Sequence, residues 1–186
     1  QIIAVLGLVG GFATPLVLRT EANRPIGLFG YTLLLDLGLI AIGRTRRWPS
    51  LGLLSVLGTV ILQMGWIGWR MTPDQYGLAL GILGLFALLF AVSGEARGDA
   101  ADPETSWLWR TSQTLGLLLP FTFALWFACR TDLGPHLYSL ALLMGPIVVA
   151  AGVLGRRGPS STMGALAACG CVAVTGAWML QRTLTV

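Results

Sequence analysis

The chain has 186 residues, 55% of them hydrophobic and only 11% charged, and its net charge of +4 comes from 12 basic residues that are all arginine. Soluble domains carry about a quarter charged residues, so a water-soluble globular protein is excluded, and lipid is the solvent that fits. The arginines are scattered over short loops and helix ends without forming a basic face, which excludes nucleic-acid binding.

Apolar stretches occupy residues 2–18, 27–42, 50–69, 76–92, 107–129, 136–154 and 163–180. Each approaches the length of about 20 residues that crosses a hydrocarbon layer. The expected fold is therefore an all-α integral membrane protein of about seven transmembrane helices, forming a single helical domain over residues 1–186. The first stretch opens at Gln1 without a basic leader, so it reads as a spanning helix rather than a signal peptide. Because the chain begins and stops beside apolar runs, it is expected to be a fragment of a longer protein. The second and fourth stretches are short and are expected to stand upright or reach into the headgroup layer. The one substantial polar loop, residues 93–106, carries four acids and Arg97.

The connections alternate between two kinds. On side A, Arg19-Thr20-Glu21, Arg70-Met71-Thr72-Pro73-Asp74 and Arg130-Thr131-Asp132 resemble one another, and Arg182-Thr183 repeats their opening. Tyr31, Tyr76 and Tyr138 each follow a side A loop, and Trp66, Trp126 and Trp178 each precede a side A arginine by four residues. That spacing puts Trp and Arg on one helix face. On side B, the Arg44 to Ser50 loop resembles Arg156-Arg157-Gly158-Pro159-Ser160. The unit is a helical hairpin, and helices 1–3 match helices 5–7 across an even number of spans. This predicts a parallel internal repeat of residues 1–92 and 107–186. Arg19, Tyr31, Trp66, Arg70, Tyr76, Trp126, Arg130, Tyr138, Trp178 and Arg182 are read as interfacial anchors, since Trp and Tyr favour the interface and Arg snorkels to it. An anion-binding rim made of the same loops is the alternative. The compact basic loops at Arg44–Arg47 and Arg156–Arg157 are expected to face the cytoplasm.

The stretch from Gly7 to Leu18, then Gly27 to Leu39, Arg46-Arg47-Trp48 and Leu57-Gly58-Thr59 resembles the bacterial "predicted membrane protein" family, domain of unknown function two-three-three-nine. The resemblance implies a long protein of repeated hairpins in the bacterial inner membrane, and it brings no activity, cofactor or catalytic residue. The family pattern has Asn where this chain has Asp36, which implies a polar packing role that either residue could fill.

Asp36 is the foremost candidate for chemistry, because an ionisable residue in the middle of a span marks a functional site by default. Ser55, Thr59 and Gln63 recur every four residues and share one face of the third helix. Counted in from side A, Thr59 lies at the depth of Asp36, while Gln113 and Thr114 reach a comparable depth from side B. A charge there is costly, and no arginine lies in the apolar part of the second or third helix. Asp36 is therefore expected to be uncharged and to point at the Ser55, Thr59 and Gln63 face. It could serve a proton- or cation-linked pathway, or act as interhelical glue. His136, the single histidine, and Arg110 read as structural interfacial residues. Cys129, Cys169 and Cys171 read as packing residues rather than metal ligands. Gly7 with Gly11 and Gly77 with Gly81 form G-x-x-x-G pairs suited to close helix packing. No catalytic motif or cofactor fingerprint is present, so a non-enzyme is expected. Two classes fit about equally: a carrier or conduit for a small solute or lipid, and a structural component of a membrane complex. An enzyme acting on a lipid-borne group stands well behind. The expected partners are the bilayer and further transmembrane helices of the same chain or of other subunits.

Overall fold

The computed structural model describes residues 2–17, 23–46, 48–94, 103–130, 137–157 and 162–183. Within them every regular element is helical. The order is α1 (Ile2–Val17), α2 (Pro25–Arg46), α3 (Pro49–Trp69), a 3-10 turn (Pro73–Gln75), α4 (Tyr76–Gly94), α5 (Pro103–Ala128), α6 (Leu137–Arg157) and α7 (Thr162–Thr183). Among the described residues, five segments are long and apolar enough to cross a membrane: Pro25–Arg46, Ser50–Trp69, Pro73–Ser93, Thr111–Ala128 and Gly164–Thr183. The described part of α1 is 16 residues long, and the apolar part of α6 is the shorter Tyr138–Leu154.

The second helix is longer than its apolar run of residues 27–42. It starts at Pro25 and continues through Arg44 and Arg46 in its last turn. Proline suits a first turn, where its missing N–H has no helical partner to lose. Cations suit a last turn, where the carbonyls point outward. Counting apolar residues alone discards both ends. The connection to α3 is tight: the Trp48 N–H donates to the Gly43 carbonyl at 3.0 Å, and Pro49 opens α3.

The described helices group into two units. The first contains α1, α2, α3 and the opening turns of α5 as far as Ser112; the second contains the 3-10 turn, α4, α5 from Gln113, α6 and α7.

In the first unit, Phe12 from α1, Leu39 from α2 and Leu51 and Leu62 from α3 form the apolar core, with Leu35, Trp48 and Leu54 packed against it. Lipid is as apolar as leucine, so helices associate there through close packing and hydrogen bonds rather than the hydrophobic effect. Gly58 shows why small residues matter: a Cβ at that position would lie 2.7 Å from the Phe12 ring. The Tyr31 hydroxyl donates to the Gly11 carbonyl at 3.1 Å and ties α2 to α1.

The second unit repeats the aromatic-on-glycine device. A Cβ on Gly116 of α5 would lie 2.5 Å from Cβ of Phe90 on α4, and one on Gly170 of α7 would lie 2.8 Å from the Phe121 ring of α5. Tyr76 and Phe127 meet edge to face with centroids 5.3 Å apart. Of the glycines singled out by G-x-x-x-G spacing, only Gly11 has a neighbour against it, Leu35 at 3.2 Å, while Gly7, Gly77 and Gly81 have none within 4 Å among the described residues.

Candidate functional site

The buried face of α2 is set by helical spacing: Pro25, Phe29, Thr32, Asp36, Leu39, Ile40 and Gly43. The matching face of α3 carries Ser55, Thr59, Gln63 and Trp66, all buried. Ser55 Oγ donates to Asp36 Oδ1 at 2.5 Å, and Thr59 Oγ1 donates to Asp36 Oδ2 at 2.6 Å. Asp36, Ser55 and Thr59 are at most 1% exposed. Asp36 therefore points toward α3, and each of its two oxygens accepts a hydroxyl from that helix. A buried polar group without a partner costs about 1–3 kcal/mol, and here each of three groups supplies what another lacks.

At the side A end of the same helix pair, Phe29 meets Trp66 edge to face at 5.4 Å. Trp66 Nε1 donates to Asn23 Oδ1 at 3.0 Å, and Asn23 Nδ2 donates to the Arg70 carbonyl at 2.8 Å. One Asn side chain thus holds a buried indole and takes up a carbonyl at the end of α3, where helices leave such groups without partners. Asp36 against Ser55 and Thr59, together with Phe29 against Trp66, fixes α2 and α3 as antiparallel neighbours in a single register. That register sets Thr32 opposite Gln63. Thr32 is fully buried, and its hydroxyl donates back to the Leu28 carbonyl at 2.9 Å. Gln63 is buried on the same face as Thr59, but its Nε2 has no hydrogen-bond partner among the described residues.

Gln113 belongs to the second unit. Its Nε2 donates to the Ala91 carbonyl at 2.9 Å, an α5–α4 tie in which the amide is already occupied. Thr114, beside it on α5, is half-buried and has a partner of its own.

The anchors differ among themselves. Tyr138 is largely exposed. Arg130 stacks over Trp126 and Arg182 over Trp178, each at 5.0 Å from the ring centroid, which is the pairing that four-residue spacing permits. Trp66 departs from the pattern, because it turns inward to Asn23 and Phe29 rather than outward with Arg70. Tyr76 is also packed inward, on Phe127, and Tyr31 serves as a tie to α1. Arg19 and His136 lie outside the described residues. Cys129 and Cys169 are exposed and Cys171 half-buried, all three as free thiols. No group of three metal-ligating side chains occurs among the described residues.

Asn23 carries no signal that spacing could have exposed, being separated from Trp66 by 43 residues. Thr32 does carry one, because it stands four residues before Asp36 on the same face of α2, the spacing that marks Ser55, Thr59 and Gln63 on α3.

A family model described as "Predicted membrane protein (DUF2339)" matches residues 1–185. The chain belongs to this family. The match extends the resemblance seen in the first half over nearly the whole length. No curated protein and no solved structure matches the chain. Membership in the family establishes a membrane protein with several apolar helices and supplies no activity from which to read the polar site.

Proposed function

We propose that the chain is a non-catalytic structural component of a larger assembly in the bacterial inner membrane. The observation that carries this reading is the enclosure of Asp36. The acid placed within a span has no exposed surface, and both of its oxygens are taken by hydroxyls of one neighbouring helix. A carrier needs its intramembrane acid to face a pathway, whereas a structural clamp needs it satisfied inside the protein. Within the second unit, the apolar span of α7 is mostly exposed whereas that of α5 is more than half buried, which leaves α7 a broad surface for lipid or for further helices. The repeated hairpins, with helices 1–3 like helices 5–7 and the Arg44–Arg47 and Arg156–Arg157 loops on the cytoplasmic side, belong to the same reading.

The protein extracted from its membrane in mild detergent should have a mass, by light scattering, well above that of its own chain. Asp36→Asn should preserve that mass and Asp36→Leu should reduce it. A chain that runs alone and supports solute flux in liposomes, with the flux abolished by Asp36→Asn, would overturn the structural reading. Carriage of a small solute or lipid is the second reading. It draws on one observation, the buried amide of Gln63, which the clamp does not use.

A further inference from the structure

The α3 face carries polar groups at Ser55, Thr59, Gln63, Trp66 and Arg70, one per turn. Four of these have assigned work: the first two bind Asp36, Trp66 binds Asn23, and the Arg70 carbonyl accepts from Asn23. The gap falls at Gln63, which is 4% exposed and whose Nε2 has no partner among the described residues. A buried N–H left unpaired bears its full desolvation penalty, so native structures satisfy such groups with protein or ordered water. Directly across the register lies Thr32. Its hydroxyl hydrogen is spent on the Leu28 carbonyl, but its oxygen retains lone pairs.

We propose that Gln63 and Thr32 hold one internal water molecule between α2 and α3, with the water accepting from Gln63 Nε2 and donating to Thr32 Oγ1. The chemistry selects the ligand. An amide N–H repels a metal cation, and a buried anion would find no arginine in the apolar part of α2 or α3 to pair with, whereas water carries no charge. Water also suits the reversed amide, since it can donate to Oε1 as readily as it accepts from Nε2. Buried waters make two to four hydrogen bonds to such otherwise unpaired groups. The water lies one helical turn from the Thr59–Asp36 bond and one turn from the Trp66–Asn23 bond, so it joins the two halves of the polar line. The inference goes beyond the structural reading and stands independently of it.

The test is water-edited solid-state NMR on the protein in lipid bilayers, with glutamine side chains labelled with nitrogen-15. Gln113 is the built-in dry control, because it is buried and already bonded to Ala91. The Gln63 signal is assigned by its loss in Gln63→Leu. Magnetisation from water should reach the Gln63 amide several-fold faster than that of Gln113. In Thr32→Val, which keeps the shape and removes the hydroxyl, the Gln63 rate should fall to the Gln113 rate. Equal rates for the two amides in the unsubstituted protein would overturn the proposal. So would a Gln63 rate unchanged by Thr32→Val in a sample whose other resonances stay in place.

Discussion

Both units seat phenylalanine on glycine, as Phe12 on Gly58 does in the first, but the first adds a joint of another kind. Between α2 and α3 the joint is polar, with a carboxyl bonded to two hydroxyls and an indole bonded to an asparagine. In the second unit, α5 meets α4 and α7 through phenylalanines seated on glycines, Phe90 on Gly116 and Phe121 on Gly170. The hydrogen bond of Gln113 to Ala91 is an addition to that packing. In lipid both solutions are available, because neither relies on expelling water. They differ in what they specify. A glycine hole accepts any ring of suitable size, whereas a carboxyl between two hydroxyls fixes depth and rotation, since sliding one helix by a residue breaks both bonds.

Removing a ring from the packed joint should have the largest effect. Phe121→Ala leaves a void facing Gly170 and should cost roughly 3 kcal/mol, the lower end for a buried phenylalanine, because in lipid the packing part of the loss is what remains. Reversible unfolding in mixed detergent and denaturant micelles, followed by helical circular dichroism, measures it. A change within about 0.5 kcal/mol, the level of an ordinary surface substitution, would show that the aromatic-on-glycine contact is not what holds α7 to α5.

The polar joint should come next. Asp36→Leu orphans the Ser55 and Thr59 hydroxyls and should cost about 1–3 kcal/mol. Asp36→Asn still offers one acceptor and one donor to two hydroxyls that can rotate, and should stay within about 1 kcal/mol of the unsubstituted protein. The same unfolding measurement separates the two variants. If Asn were as damaging as Leu, the site would depend on the acid itself, and the clamp would not be the reason for Asp36.

How much of this was legible in the sequence depended on whether an interaction lies within one helix. The four-residue recurrence of Ser55, Thr59 and Gln63 exposes the polar face of α3, and the position of Asp36 in its span matches that face in depth. The stacking of Arg130 on Trp126 and of Arg182 on Trp178 follows from the same spacing. What depends on tertiary approach was not visible. Gly58, Gly116 and Gly170 are the closest-approach glycines, while the spacing motif pointed to Gly7, Gly11, Gly77 and Gly81, of which only Gly11 meets a neighbour among the described residues, because a motif records that a helix could be approached and not which helix comes. The inward turn of Trp66 depends on Asn23, in a loop whose residue types give no reason to expect an indole. The ends of α2 were hidden for another reason: helix geometry tolerates Pro at the start and Arg at the end, and hydropathy does not.

The smallest expected effect tests what turns Trp66 inward. Three tryptophans stand four residues before an arginine, yet one is buried and hydrogen-bonded while two lie under their arginines. If Asn23 is what diverts Trp66, then Trp66→Phe should lose the bond to Asn23 Oδ1 and about 1 kcal/mol with it. The edge-to-face contact with Phe29 would survive, since phenylalanine keeps the ring. Trp126→Phe only weakens the cation–π contact of an exposed pair, worth about 0.5–1 kcal/mol in full. Asn23→Ala provides the decisive comparison, because it removes the acceptor while leaving all three tryptophans in place. Its cost should not add to that of Trp66→Phe, since both changes break one bond. Additive losses in the double variant would mean that Asn23 stabilises the α3 terminus through the Arg70 carbonyl alone and that Trp66 is buried for its packing.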